Sequence, residues 1–317
     1  MKVIGWSLVL TIMMSKPVLS CDLCAIYSAA QSRGEIGQGA FAGVAEQFTH
    51  FGTVQVDGVE VPNTAGQYLN SSISQVFAGY NFTERVGVQL NLPVIYRSYK
   101  RPDGLGGIDY GNVSGIGDLS LLGNFMPVSY DKMKATFRWT VSGGVKFPTG
   151  NATRIKEEFN EIEDPIGPPS GIHGHDLALG SGSYDGLVGT ALFGRWKRLF
   201  LAANVQYAIR SEGDFDYRYA NDLTWAGGPG AYVLVSENHT LSVQVVVSGE
   251  HKELDTFQGP PAEDTGMTAV YLGPVFNFTW RENLSAFVGF GLPVSMQNTA
   301  LQTVPDYRIG AGVAWHF

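Results

Sequence analysis

The residues able to do chemistry fall into three groups. The first is Cys21 and Cys24, in Cys-Asp-Leu-Cys near the start of the chain, the two cysteines among 317 residues. Two thiols at this spacing can close a small disulfide in an oxidising compartment, or supply half of a metal or redox site. Leu19-Ser20-Cys21 also has the form of a lipobox, in which Cys21 would carry a lipid and could not bridge to Cys24. The second group is His173-Gly174-His175-Asp176, in a long polar stretch with Glu157, Glu158, Glu161, Glu163 and Asp164. Two imidazoles and a carboxylate are a donor set for Zn²⁺ or Cu²⁺; the competing reading is a solvated acidic loop. The third group is dispersed: Arg97, Asp118, Arg138, Lys146, Asn204, Gln206, Gln244 and Arg308. Its meaning depends on the elements that carry it. The chain contains no G-x-S-x-G elbow, no phosphate-binding P-loop, no G-x-G-x-x-G and no H-E-x-x-H, so the motifs give no reason to expect an enzyme or a cofactor.

Composition narrows those elements. Charged residues are 16% of the chain and glycines number 40, against about 25% and about 7% in average soluble proteins. Mean hydropathy is 0.00, with 18 Phe, 14 Tyr and 6 Trp. A net charge of −8 argues against nucleic acid as a partner. After the first 20 residues no apolar run reaches the ~18 residues of a spanning helix. Lys2 followed by apolar residues 3–14 and the small Ser20 reads as a secretory signal over 1–20. A short periplasmic segment, 21–38, then carries the cysteines.

From residue 39 onward the period is two. Tyr307, Ile309, Ala311, Val313, Trp315 and Phe317 alternate with Arg308, Gly310, Gly312, Ala314 and His316. Val86 to Leu92, Phe137 to Phe147, Leu199 to Tyr207 and Leu241 to Val247 repeat the pattern. The second face is Gly, Ser, Thr, Asn and Gln rather than charge, which suits a barrel lumen better than a solvated sandwich face. Twelve strands are expected, centred near Val44, Val76, Leu90, Leu121, Val141, Leu192, Val205, Ala231, Val245, Val275, Val288 and Val313. Tight turns over 81–85, 128–133, 194–198, 236–239 and 279–283 alternate with long polar connections over 52–67, 100–114, 149–182, 211–216, 253–265 and 296–305. The expected fold is thus an all-β, 12-stranded antiparallel transmembrane barrel over 39–317, with short periplasmic turns, long external loops and both termini periplasmic. Girdles are expected from Phe82, Phe193, Trp196, Phe278, Trp280 and Trp315 at the turn end, and from Tyr96, Phe147, Tyr207 and Tyr217 at the loop end. The eight dispersed polar residues of the third group should then point into the lumen, as an ion-pair network or as a polar path.

Gly115-Ile116-Gly117-Asp118-Leu119, Phe147-Pro148-Thr149-Gly150 and Leu179-Gly180-Ser181-Gly182-Ser183-Tyr184-Asp185 resemble the spaced motifs of the outer-membrane family named for the meta-pathway of phenol degradation. The resemblance covers most of residues 70–317. It implies a bacterial outer-membrane barrel that passes small, often aromatic, molecules. The terminal Phe317 similarly resembles the signal read by the barrel-assembly machinery. The functional expectation is a channel for passive movement of a small, aromatic or hydrophobic solute. The competing class is a non-conducting barrel, structural or bound to a periplasmic or redox partner through the Cys-x-x-Cys segment.

Overall fold

The computed structural model describes residues 38–104, 106–132, 134–159, 169–236, 238–281 and 283–317. The signal segment, Cys21 and Cys24 lie outside the described residues.

Alternation along the chain becomes a closed wall of twelve antiparallel strands. They are β1 (Gly39–Val56), β2 (Tyr68–Asn81), β3 (Val86–Pro102), β4 in two pieces (Ile108–Ile116 and Ser120–Lys132), β5 (Ala135–Lys146) and β6 (Asp185–Trp196). They continue as β7 (Leu199–Ile209), β8 (Asp222–Val235), β9 (His239–Lys252), β10 (Met267–Trp280), β11 (Leu284–Asn298) and β12 (Leu301–His316). Each strand pairs with the next, and β12 pairs with β1 from Phe41↔His316 to Val56↔Leu301, so the wall has no terminal edge. Closure matters because an unpaired backbone is costly in hydrocarbon.

The two faces of the wall are chemically inverted relative to a soluble barrel. Val88, Leu90, Phe137, Trp139, Val243 and Val313 all lie on the outer face, as their parity requires, while their neighbours Gln89, Asn91, Thr140 and Gln244 are buried inside. All twelve expected strand centres fall within the twelve strands.

Three expectations need correction. The stretches 100–114 and 296–305 are largely strand: β3 runs to Pro102 and β4 starts at Ile108, while β11 and β12 meet across Thr299 and Ala300. Polar side chains there do not stop pairing. Asn298 Nδ2 donates to the Gln55 carbonyl (3.2 Å) and Asp57 Oδ1 accepts from the Ala300 amide (2.9 Å). Long and short connections therefore cease to alternate at the last hairpin. Phe193 is not a girdle residue; it points inward and packs against Phe200, the two rings tilted by 30°. Tyr217 is likewise buried, among loop residues, with its hydroxyl on Asp255 (2.6 Å).

The barrel interior is not uniformly polar. Phe41, Phe77, Phe287, Ile73, Ile95, Val246 and Val275 form one buried cluster across the lumen, joined by Leu179 from the long loop. Inward glycines make room for the rings: a Cβ on Gly43, Gly79 or Gly312 would collide with Phe77, Phe41 or Phe287 respectively. A barrel of this strand number can leave some internal space, and here much of it is filled by side chains.

The outer face generates a direct test. Val245 is half exposed in the middle of β9, opposite Pro274 of β10. Val245→Arg should destabilise the barrel by roughly 2–4 kcal/mol in urea titrations from lipid vesicles. Val245→Leu should stay within about 0.5 kcal/mol.

Candidate functional site

The wall is uneven at its loop end. β5, β6 and β7 end at Lys146, Asp185 and Ile209, well short of the reach of β3 and β1. β4 breaks at Gly117, Asp118 and Leu119: its lower piece continues the pairing with β3 and β5, while its upper piece pairs with β3 alone among the described residues. The break turns the Asp118 side chain inward, fully buried.

Around that break the three glycine-rich motifs converge. Thr149 Oγ1 donates to the Gly117 carbonyl (2.9 Å) and accepts from the Leu119 amide (2.8 Å). Asp118 accepts from the amides of Gly150 (2.9 Å) and Ser181 (3.0 Å). The backbones meet so closely that a Cβ on Gly180 would lie 2.6 Å from Gly150 and 2.7 Å from Asp118 Oδ1. Glycine is required there by that approach.

Charge runs from this knot along the inner rim. Lys146 Nζ lies 2.8 Å from Asp118 and 2.6 Å from Asp185, and donates to Ser181 Oγ. Arg210 reaches Asp185 (2.9 Å) through one nitrogen and Asp222 through Nε (3.0 Å) and Nη2. The result is a buried ladder, Asp118–Lys146–Asp185–Arg210–Asp222, alternating in sign across five consecutive strands. Burying charge is expensive unless every ion is matched, and here each cation touches two carboxylates. Ser181 and Ser183 tie the end of the long loop into it.

The described parts of the long loop 147–184, residues 147–159 and 169–184, fold into the mouth rather than away from it. Its described parts include a 3₁₀ turn, Thr153–Phe159, and a single helical turn, Gly174–Leu177. Ile155, Ile172, Leu177 and Leu179 are buried beneath it. Arg97, rising from β3, donates to the carbonyls of Asp176 (2.6 Å) and Ala178 (2.7 Å) and so clamps the helical turn from below. Between this loop and the wall lies a cavity of about 170 Å³. Its lining includes apolar side chains, Phe51, Leu69, Ile95, Ile172, Leu179 and Met267. It also carries Arg97, Arg210, Asp222, Glu250 and Arg308. Glu250 accepts from Arg308 (2.7 Å) and Tyr271 (3.2 Å), and the Arg308 guanidinium sits 4.0 Å from the Tyr271 ring centre.

The sequence-based candidates separate accordingly. Arg97, Asp118, Lys146 and Arg308 come together around the ladder and cavity. Asn204, Gln206 and Gln244 face inward and are buried in the wall's interior lining, Gln244 donating to the Gly228 carbonyl (2.9 Å). Arg138 does not join them. It faces inward at the opposite, turn end, where it pairs with Asp131 (3.0 Å). Asp185 and Asp222 were not singled out, although an acid at the first position of a strand that follows a loop is visible in both. Glu46 was also missed. It lies on the outer wall, where Ser72 and Ser74 both donate to its carboxylate.

His173, His175 and Asp176 do not assemble a metal centre; no group of three or more His, Cys, Asp or Glu among the described residues is placed to hold an ion. They form ion pairs instead. His175 Nδ1 lies 3.0 Å from Glu158 and its Nε2 3.4 Å from Asp176, while His173 reaches Asp264 (3.2 Å). The two imidazoles stack, with centres 5.8 Å apart. Burial opposes the charge on His175, but Asp176 and Glu158 outweigh it and raise its pKa from 6.5 to about 10. Burial likewise opposes the charge on Asp176, yet His175 and His173 hold its pKa below 3.8.

No family model matches this chain, and no curated protein matches it. Solved structures do. The COG4313 outer membrane channel from Pseudomonas putida F1 superposes with a TM-score of 0.61 at 16% identity, over 89% of this chain and 96% of that one. The fold is that of an outer-membrane β-barrel. Two further structures align more loosely. The β domain of the Bordetella autotransporter BrkA has a TM-score of 0.45 at 10% identity, covering 88% and 100% of the two chains. The NanC porin gives 0.40 at 9%, covering 87% and 100%. The resemblance to the phenol-degradation family remains a resemblance.

The loop contacts give a pH prediction. His175 has a raised pKa, so its contribution is complete below about 6.5 and lost as pH climbs through about 10. Asp176 has a lowered pKa, so its contribution is present above 3.8 and lost on acidification below that. Protease cleavage within the long loop should therefore be slowest near pH 4–6.5 and accelerate toward pH 10. In His175→Gln the alkaline acceleration should disappear.

Proposed function

We propose that this barrel is an outer-membrane channel that lets a small, mostly apolar solute move passively between the outside and the periplasm, without a cofactor and without chemistry on the solute. The observation that carries the reading is the cavity under the long loop, whose lining mixes apolar side chains with charges, among them the paired Arg210–Asp222 and Arg308–Glu250. Such a lining offers an apolar solute burial and a few polar contacts for orientation, while presenting little unmatched charge to an ion. The apolar cluster of Phe41, Phe77, Phe287 and Leu179 below the cavity points the same way, because water and ions gain nothing from entering it. The similar COG4313 structure is described as an outer membrane channel, and the shared fold makes that role a natural one for this chain. The short turns and both strand ends, at Gly39 and His316, are assigned to the periplasm and the long loops to the exterior. Outer-membrane lipid is the surrounding phase, and Phe317 the contact for barrel assembly.

In this reading the loop is the closed state's stopper and the ladder holds it. Lys146→Met would leave Asp118 and Asp185 buried without their shared cation, a loss on the order of 3–5 kcal/mol. In planar bilayers the native chain should show small, infrequent conductance steps, and Lys146→Met larger or longer ones. Vesicles loaded with an aromatic probe should exchange it faster through the native barrel than probe-matched hydrophilic sugars. A barrel silent to both, in native and variant forms, would instead favour the structural or partner-binding class.

A further inference from the structure

Five cations crowd one part of the turn rim, in a chain whose net charge is −8. Lys132 and Lys134 flank the turn between β4 and β5; Arg195, Lys197 and Arg198 surround the turn between β6 and β7. The nearby acid, Asp131, is bound to Arg138. The other three turns carry no excess of positive charge: Glu84 adjoins Arg85, Glu237 has no basic neighbour in its turn, and Arg281 adjoins Glu282.

The two basic turns are fastened together. The Lys197 amide donates to the Lys134 carbonyl (2.7 Å). Arg195 donates to the carbonyls of Lys132 (3.3 Å) and Lys197 (3.1 Å) and to Thr136 Oγ1 (2.9 Å). Lys197 itself takes a left-handed backbone, φ 55°, to complete the turn. Like charges held side by side repel, so this construction has an unfavourable term that an anion would remove.

The surroundings say where that anion sits. Lys197 Nζ lies 4.7 Å from the centre of the Trp196 ring, and Lys132 Nζ 6.0 Å from that of Tyr130. Both rings are on the outer wall, with Phe137 and Leu199 beside them, and all four are exposed. Aromatic rings at this level mark the boundary of the hydrocarbon, and lysine stems running along such rings present their ammonium groups at headgroup depth. Lys132 and Lys197 therefore face the bilayer's edge rather than the lumen.

We propose that Lys132, Lys134, Lys197 and Arg198, held in place by Arg195, form a binding surface for the phosphate of an anionic phospholipid in the adjoining leaflet. The source is the membrane rather than a soluble partner, because the aromatic floor of the patch is continuous with the lipid-facing wall. Naming that leaflet as the periplasmic one rests on the orientation given under Proposed function; the binding itself does not.

The test uses the mature chain in phosphatidylcholine bilayers into which brominated phosphatidylglycerol or brominated phosphatidylcholine is mixed at equal fractions. Subtracting the signal of Trp196→Phe isolates quenching at Trp196. The native barrel should be quenched several-fold more strongly by the anionic lipid, and high salt should reduce the ratio. The combined change K132Q/K134Q/K197Q/R198Q should bring the ratio to unity, whereas K132R/K134R/K197R/R198K should preserve it. These side chains lie outside the wall's packing, and heat-modifiable gel migration confirms that each variant is folded. A ratio of unity in the native chain, or one unchanged in the glutamine variant, overturns the proposal. So does protection of Lys197 from acylation by soluble polyglutamate but not by anionic vesicles, which would assign the patch to an acidic protein. Orientation is read separately: labelling of Lys197→Cys in intact cells by an impermeant maleimide would reverse the leaflet while leaving the lipid ratio intact.

Discussion

The contact on which the rest depends is Lys146 between Asp118 and Asp185. It sits where three things happen at once: β4 breaks, β5 ends and β6 begins. Without a cation there, two carboxylates would be trapped inside a low-dielectric interior, and neither could reach water without dismantling the loop above them. With it, the break in the wall becomes an anchor. The Asp118 carboxylate also accepts the amides of Gly150 and Ser181, so the two ends of a 38-residue excursion, 147–184, are bound to the same side chain. A long loop that would otherwise cost conformational freedom is pinned at both ends by one ion pair.

The interior and the exterior of the barrel obey different constraints. Outside, apolar side chains need no particular partners, because lipid accommodates any of them; the wall there is mostly Val, Leu, Phe and Trp, with Glu46 and its two serines as a polar exception. Inside, each large side chain must be given space by a small one opposite, and each charge must be given a counter-charge. The pairing of Phe77 with Gly43, Phe41 with Gly79 and Phe287 with Gly312 is the first rule at work. The Glu250–Arg308 and Arg210–Asp222 pairs are the second. These rules leave room beneath the loop, where apolar side chains and paired charges line one cavity.

How much of this was legible follows from the same distinction. The wall was readable because the period of two imposed by lipid on one face persists through every strand, and one face of β12 or β5 suffices to set its register. The same parity turns Arg97, Lys146 and Arg308 inward, whereas Asp118 faces inward because the strand breaks there. Parity gives direction, however, and not height. Arg138 and Lys146 have the same parity on the same strand, yet one is at the turn rim and the other in the ladder. Phe193 and Tyr217 were misplaced because aromatic residues near a strand end serve a girdle or a packed interior equally well, and only three-dimensional neighbours decide. The inward fold of the long loop was invisible, since Glu157, Glu158, His173 and His175 look like a solvated segment until their partners Arg101, Asp176 and Asp264 are brought alongside.

In the proposed channel, a closed, filled barrel whose opening is blocked by its own loop has to reconcile permanence with passage. The contacts holding the loop are of two kinds. At its base they are buried ion pairs on strands, which cannot be undone singly without leaving an unmatched charge. At its crest they are histidine–carboxylate and tyrosine–carboxylate contacts: His175 with Glu158 within the loop, and His173 with Asp264 and Tyr217 with Asp255 between loops. Of these, His173 and Asp264 are part-exposed, so an opened partner there can be rehydrated at lower cost. Movement should therefore begin at the crest and hinge about the Asp118 knot, widening the cavity from above while the wall keeps its hydrogen bonds. Under the proposed function, the arrangement separates what must stay paired for the barrel to exist in lipid from what would part to admit a solute.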